Sequence, residues 1–138
     1  MSETLLIIED NEQNFYLMRF LLEKNGFAII GAQNGREGIE LALHERPRAI
    51  LLDIQLPEMD GYAVAAELKR HDEMAGVPII AVTSYAMVGD RERILAAGAT
   101  GYIEKPINPE TFVAEIRRHL SQAKQNPKEL QDEHTDRG

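Results

Sequence analysis

The chain has 138 residues and a formal net charge of −8, from 15 basic and 23 acidic side chains. This charge disfavours nonspecific binding to nucleic acid or anionic lipid, and the absence of cysteine excludes disulfides and thiolate metal sites. Its apolar runs fall well short of the ~20 residues of a membrane span, and the N-terminus lacks the basic region of a secretory signal. We therefore expect one soluble, cytoplasmic domain that binds neither nucleic acid nor membrane.

Short apolar runs alternate along the chain with segments of helical periodicity. Each run predicts a buried strand, because the strands of a parallel sheet are apolar on both faces. The predicted strands comprise residues 5–8, 27–30, 49–52, 77–82 and 101–104. Five strands in alternation with five helices predict an α/β fold with a doubly wound parallel sheet.

The predicted helices have recognisable ends. The second begins near Asn34-Gly35, and the fourth is closed by Gly98. The fifth has Asn108 as its expected N-cap, with Pro109 at the first helical position. Beyond residue 124 the sequence has almost nothing to bury. We therefore predict a folded domain over residues 1–124 and a disordered polar tail over residues 125–138.

Polar side chains follow four of the five predicted strands. Glu9 and Asp10 come after the first strand, Asp53 after the third, Thr83 after the fourth and Lys105 after the fifth. The carboxyl ends of parallel strands meet at one edge of the sheet, where open α/β sheets bind ligands. Three carboxylates repel one another unless a cation joins them, and Mg²⁺ suits a site with few carboxylates and several waters.

This group of residues also predicts a reaction. The carboxylate of Asp53 can act as a nucleophile toward phosphorus and form an acyl phosphate, while a divalent cation neutralises the phosphoryl oxygens. Lys105 would supply a positive charge for one phosphoryl oxygen, and Thr83 a hydroxyl donor for another.

The same residues lie in stretches that resemble the receiver domain of two-component response regulators, over about residues 4–122. The matching stretches are residues 6–11, 51–61, 80–83 and 102–106. The resemblance implies a five-stranded sheet of the flavodoxin-like and CheY-like type, with strand order 2-1-3-4-5. In that order the first and third strands are neighbours and place Asp10 beside Asp53.

The resemblance further implies a role for each acidic residue. Asp53 would accept a phosphoryl group from a histidine kinase or a histidine phosphotransfer protein. Asp10 would bind Mg²⁺ directly and Glu9 through water, with Asp53 and the backbone carbonyl of Gln55 as further ligands. The protein would be a signalling protein, whose chemistry is limited to its own phosphorylation and slow dephosphorylation.

By the same resemblance, phosphorylation would switch a surface. Lys105 would ion-pair with the phosphoryl group, and its bond to Pro106 would be cis. Thr83 would move toward the added charge, and Tyr102 would rotate inward into the space left behind. The face made by the fourth helix, fifth strand and fifth helix would then dock a downstream protein. The protein would be a monomer or a weak, phosphorylation-dependent dimer.

Several alternatives stay open. Residues 86–94 resemble stand-alone regulators of the DivK type, which control cell polarity and division, but also resemble receivers that belong to hybrid kinase relays. A Mg²⁺-dependent aspartyl-phosphate hydrolase of the haloacid-dehalogenase type expects a second Asp where Gln55 stands. A flavodoxin-like flavin binder would bring a phosphate against Glu9 and Asp10, which would repel it.

Residues outside the main site also carry expectations. Gln55 and Tyr85 flank the expected path of a hydrolytic water, and Met87 and Val88 either dock a partner or pack at the start of the fourth helix. The four histidines share no metal spacing, so we expect them to be solvated and not to carry phosphoryl groups. They are His44, His71, His119 and His134.

Overall fold

A computed structural model describes residues 3–84 and 88–124. Its five strands form one parallel sheet with the order β2-β1-β3-β4-β5, which confirms the predicted α/β fold and strand order. The strands are β1 (Thr4–Ile8), β2 (Ala28–Ala32), β3 (Ala49–Asp53), β4 (Ile79–Thr83) and β5 (Gly101–Glu104). The helices are α1 (Glu12–Lys24), α2 (Gly35–Glu45), α3 (Gly61–Lys69), α4 (Val88–Ala96) and α5 (Phe112–Lys124), with a short 3₁₀ helix at Asp72–Met74.

Helices cover both faces of the sheet, and each face has its own apolar core. On one face, alternate strand residues such as Leu6 and Ile50 pack with side chains from α2, α3 and α4. On the other, their neighbours Leu5 and Leu51 pack with α1 and α5. Residues 5–8 and 49–52 are almost fully buried. A continuous apolar run is the composition that burial on two faces requires.

The element ends differ from the sequence-based expectations by up to three residues. β4 begins at Ile79 and not at residue 77, because Val77 donates its amide back to Met74 and closes the 3₁₀ turn. α2 begins at Gly35, where the sequence predicts its start, and Asn34 caps it by accepting a hydrogen bond from the Glu37 amide at 2.9 Å. Asn108 likewise accepts from the backbone of residue 110, but α5 starts at residue 112, after a separate turn.

The expectation that all four histidines are solvated is wrong for His119. Its side chain is buried on α5 and lies against Gly101, where a Cβ atom would overlap the imidazole ring. Burial lowers the pKa of His119 below its ordinary value of 6.5. Helical periodicity alone could not show that this turn of α5 crosses a glycine of β5. His44 is exposed and His71 is half-buried.

Some expectations fall on residues outside the described ranges. These are the disordered tail, residue 134, and the proposed roles of Tyr85 and Met87. Within residues 3–84 and 88–124, none of the helices has the length and apolar character of a membrane span.

Candidate metal centre at the carboxyl edge of the sheet

The acidic residues of β1 and β3 converge at the carboxyl edge of the sheet. The two strands are hydrogen-bonded neighbours in which Ile8 pairs with Leu52, so both chains leave the sheet at the same level. Glu9, Asp10 and Asp53 each offer a carboxylate oxygen, and these oxygens lie within 4.8 Å of one another. Glu9 and Asp53 are buried, whereas Asp10 is exposed. The structure therefore brings the three predicted carboxylates together.

Lys105 reaches this cluster from the end of β5. Its Nζ atom lies 3.3 Å from Asp53 Oδ1 and 3.3 Å from Glu9 Oε1. The Lys105 amide donates to the Thr83 carbonyl at 2.8 Å, which extends the β4–β5 pairing to the base of this side chain. The bond between Lys105 and Pro106 is cis, as expected. One ammonium thus faces two buried carboxylates.

Glu9 carries the clearest electrostatic signature of the site. Burial, a hydrogen bond with Asp53 and the negative charge of Asp53 raise its pKa from 4.5 to about 7, against the opposing effects of Lys105 and the Asn11 amide. Its Oε1 atom is within ion-pair distance of Lys105 but has no partner in hydrogen-bond geometry. Three carboxylates with one ammonium and an unsatisfied buried oxygen form a donor set that fits a hard divalent cation.

The loop after β3 holds the carboxylate of Asp53 in place. The Gln55 amide donates to Asp53 Oδ1 at 2.9 Å, so one of the two carboxylate oxygens is oriented by the backbone. The Gln55 side chain is exposed. No described contact tests its carbonyl as a metal ligand, and that role stays a prediction.

Thr83 and Tyr102 lie on adjacent strands at the same edge. Thr83 is the buried last residue of β4, and Tyr102 is a half-buried residue of β5. In the β4–β5 register Ala81 pairs with Tyr102 and Thr83 with Glu104, which puts the Thr83 and Tyr102 side chains on the same face of the sheet. The Arg91 guanidinium lies 5.4 Å from the centre of the Tyr102 ring.

The α4-β5-α5 face, defined here as residues 88–96, 101–104 and 112–124, contains a groove along β5. Its volume is about 530 Å³, and residues 100–104 are part of its lining. Leu95 of α4 is half exposed at its rim, and the buried His119 of α5 also lines it. β5 is the last strand in the order of the sheet, and the groove runs along it.

One residue of the site was missed in the sequence. Gly61 starts α3 directly against the backbone of Asp53 and Ile54, and its amide donates to the Ile54 carbonyl at 2.9 Å. The signal available was a glycine immediately after the helix-capping Asp60. That pattern indicates a loop but not what the glycine touches.

The chain matches the family described as the response regulator receiver domain over residues 5–117, and it belongs to this family. Among curated relatives, the polar-differentiation response regulator DivK of Brucella anthropi is 46% identical over 123 residues, which cover 89% of this chain and 100% of the relative. The protein of the same name from Brucella melitensis is 43% identical with the same coverage.

Solved structures agree with the assignment. The chemotaxis response regulator CheY4 of Vibrio cholerae superposes with a TM-score of 0.83 at 25% identity, covering 86% of this chain and 99% of CheY4. The receiver domain of a sensor histidine kinase from Pseudomonas aeruginosa has a TM-score of 0.78 at 34% identity, covering 88% and 97%. The latter has a magnesium ion coordinated in its active-site cleft. Membership of the family favours the receiver interpretation over the flavin-binding and hydrolase alternatives.

Proposed function

We propose that this protein is a response regulator that accepts a phosphoryl group on Asp53 from a histidine kinase or a histidine phosphotransfer protein. The observation that carries the proposal is the position of the Asp53 carboxylate. It is buried at a strand end, within 4.8 Å of oxygens of Glu9 and Asp10 and 3.3 Å from the Lys105 ammonium. Carboxylates arranged in this way suit attack on phosphorus in the presence of a cation.

Glu9, Asp10, Asp53 and the backbone carbonyl of Gln55 would hold Mg²⁺. When bound, the ion neutralises charge on the phosphoryl oxygens. Groups of this chain carry out the attack on phosphorus and bind the transferred group. An Asp53 oxygen forms the new bond to phosphorus while the bond from phosphorus to the donor's histidine nitrogen breaks, and the leaving imidazole keeps its electron pair. The Gln55 amide orients the Asp53 carboxylate, and Lys105 and Thr83 bind phosphoryl oxygens.

The consequence of phosphorylation would be a change of the α4-β5-α5 face. Thr83 would shift toward the phosphoryl group and Tyr102 would turn inward from the same face of the sheet, altering the groove along β5. A downstream protein would dock there, and the phosphorylated protein would act as a monomer or a weak dimer. The protein would act as a signalling protein in the cytoplasm, in keeping with its lack of cysteine.

The similarity to DivK supports a role in cell polarity, because the relative is named for polar differentiation and is matched over its whole length. A second candidate is a receiver within a hybrid kinase relay. It is favoured by the 34% identity to the receiver domain of a sensor histidine kinase. The two candidates have the same site chemistry. They differ in whether the phosphorylated protein docks a downstream partner or passes the phosphoryl group along a kinase relay.

Acetyl phosphate with Mg²⁺, followed by intact mass measurement, tests the phosphoacceptor. The wild-type protein should gain the mass of one phosphoryl group, and EDTA should prevent the gain. Asp53→Asn should abolish it, whereas the matched control Asp60→Asn should not. Asp60 is an exposed N-cap in the same loop, and Asn caps helices as well as Asp does. Undiminished labelling of Asp53→Asn would move the acceptor elsewhere.

A further inference from the structure

The start of α3 lies against the phosphoacceptor backbone with no spare room. A Cβ atom at Gly61 would stand 2.5 Å from Ile54 Cα and 2.8 Å from the Asp53 carbonyl oxygen. Both are backbone atoms, so neither can swing aside as a side chain could. Any larger residue at position 61 must displace either the end of β3 or the first turn of α3.

The loop between these contacts is closed on itself. The Gly61 amide donates to the Ile54 carbonyl at 2.9 Å, which joins the two ends of the loop. Inside it, the Met59 amide donates to the Pro57 carbonyl at 2.7 Å around Glu58, whose φ is +64°. A three-residue turn closed by a hydrogen bond between its first and third residues is a γ-turn. The form with a positive φ at the central residue is rare for residues other than glycine. We call residues 54–61 the β3–α3 clip.

We propose that Gly61 is a positioning residue for cation binding and phosphoryl transfer. It lets α3 close the β3–α3 clip and so sets where the Asp53 carboxylate and the Gln55 carbonyl stand relative to Glu9 and Asp10. The inference rests on the proposed function, because it concerns the same site. Gly61 itself would contact neither the ion nor the phosphoryl group. The glycine acts through the backbone of Asp53 and Gln55.

Gly61→Ala tests this proposal against two other glycines. Gly76 has no atom within 4 Å of an added Cβ, so Gly76→Ala controls for the substitution itself. Gly101 is crowded by the His119 ring, so Gly101→Ala controls for loss of stability away from the clip. Mg²⁺ affinity is measured by calorimetry, labelling by acetyl phosphate at saturating Mg²⁺, and clip mobility by hydrogen exchange of residues 53–61 without metal.

Gly61→Ala should lower Mg²⁺ affinity about 10-fold or more, the usual effect of disturbing groups that orient metal ligands. It should also slow labelling and speed exchange of the clip amides in the metal-free protein. Gly76→Ala should match the wild type, and Gly101→Ala should melt at a lower temperature with unchanged Mg²⁺ affinity. Wild-type affinity and labelling rate in a folded Gly61→Ala variant would overturn the positioning role.

Should Gly61→Ala fail to fold, a second pair of variants tests the clip at the exposed Glu58. Glycine can keep the φ of +64° and proline cannot. Glu58→Pro should therefore lower Mg²⁺ affinity while Glu58→Gly retains it, and equal affinities would overturn the proposal. A wild-type protein that neither binds Mg²⁺ nor becomes labelled would contradict the proposed function itself. Variants that match a labelled wild type contradict the positioning role alone.

Discussion

The Nζ atom of Lys105 lies 3.3 Å from Asp53 Oδ1, although Asp53 ends β3, Lys105 follows β5, and β4 lies between these two strands. The lysine side chain crosses the carboxyl edge of the sheet, and 13% of it is exposed. Its ammonium faces the buried carboxylates of Glu9 and Asp53. Two cations would therefore offset the negative charge of the carboxylates: the Lys105 ammonium and the proposed Mg²⁺.

Lys105→Met should destabilise the metal-free protein and make it more dependent on Mg²⁺. Removing one partner from a buried charge cluster leaves uncompensated carboxylates, and at pH 8 we expect a loss of about 3 kcal/mol in the free energy of unfolding. Mg²⁺ should restore part of this loss, because it would neutralise the same groups. Urea denaturation with and without Mg²⁺ measures both effects.

The matched control for that experiment is Lys69→Met. Lys69 is also partly buried, and burial lowers the pKa of its ammonium, but it packs against Gly98 outside the site. Its substitution should cost little stability and should not change the effect of Mg²⁺. Equal responses of the two variants would contradict the role assigned to Lys105.

The raised pKa of Glu9 predicts a pH dependence with a definite sign. A carboxyl whose pKa is about 7 in the folded protein and 4.5 in the unfolded chain binds its proton more tightly when folded. Its contribution to the stability of the metal-free protein is thus fully present below pH 4.5 and is lost as pH rises to about 7. Measuring unfolding free energy against pH for wild type and Glu9→Gln isolates this contribution as the difference between the two curves.

The affinity for Mg²⁺ should also depend on the protonation of Glu9. Near pH 6 the bound ion should favour the ionised form of Glu9, so calorimetry in buffers of different ionisation enthalpy should detect proton release. Glu9→Gln should bind Mg²⁺ without that release, and binding by the wild type should become tighter toward pH 8. A wild-type affinity independent of pH over this range would show that Glu9 keeps an ordinary pKa.

Asp10→Asn should weaken Mg²⁺ binding by about 10-fold or more, since it removes a charged oxygen ligand from a site with few carboxylates. Asp10 is exposed, so the change should leave the free energy of unfolding nearly unaltered. Glu12→Gln is the control, because Glu12 is an exposed acid two residues further along, in the first turn of α1. Calorimetry that finds the same affinity for both variants would remove Asp10 from the ligand set.

Tyr102 should change its surroundings when the site carries a phosphoryl mimic. Protein labelled with fluorotyrosine and treated with beryllium fluoride and Mg²⁺ should show a shifted Tyr102 resonance in ¹⁹F NMR, assigned with Tyr102→Phe. Thr83→Ala should suppress the shift, because the proposed movement begins at the Thr83 hydroxyl. Tyr16 is 67% exposed on α1 and serves as the internal reference. An unchanged Tyr102 signal would leave the α4-β5-α5 face without its proposed switch.

The strand pattern and the identity of the site residues could be predicted from sequence because both depend on neighbours along the chain. Asp53 follows a run of apolar residues and Thr83 another, and parallel strands must present such residues at one edge. The order of the strands came from the family resemblance and not from periodicity. The structure agrees with this order and moves some element ends by one to three residues.

Residue types and their spacing along the chain are enough to identify the strands, the three carboxylates and the lysine at the strand ends. How those groups act on one another depends on the packing of separate elements. Three contacts show this dependence, because each joins residues from different elements or from the two ends of a loop. They are Lys105 with Asp53, His119 with Gly101 and Gly61 with Ile54. Charge sharing and steric clearance depend on distances of a few ångströms between separate elements, which local patterns do not encode.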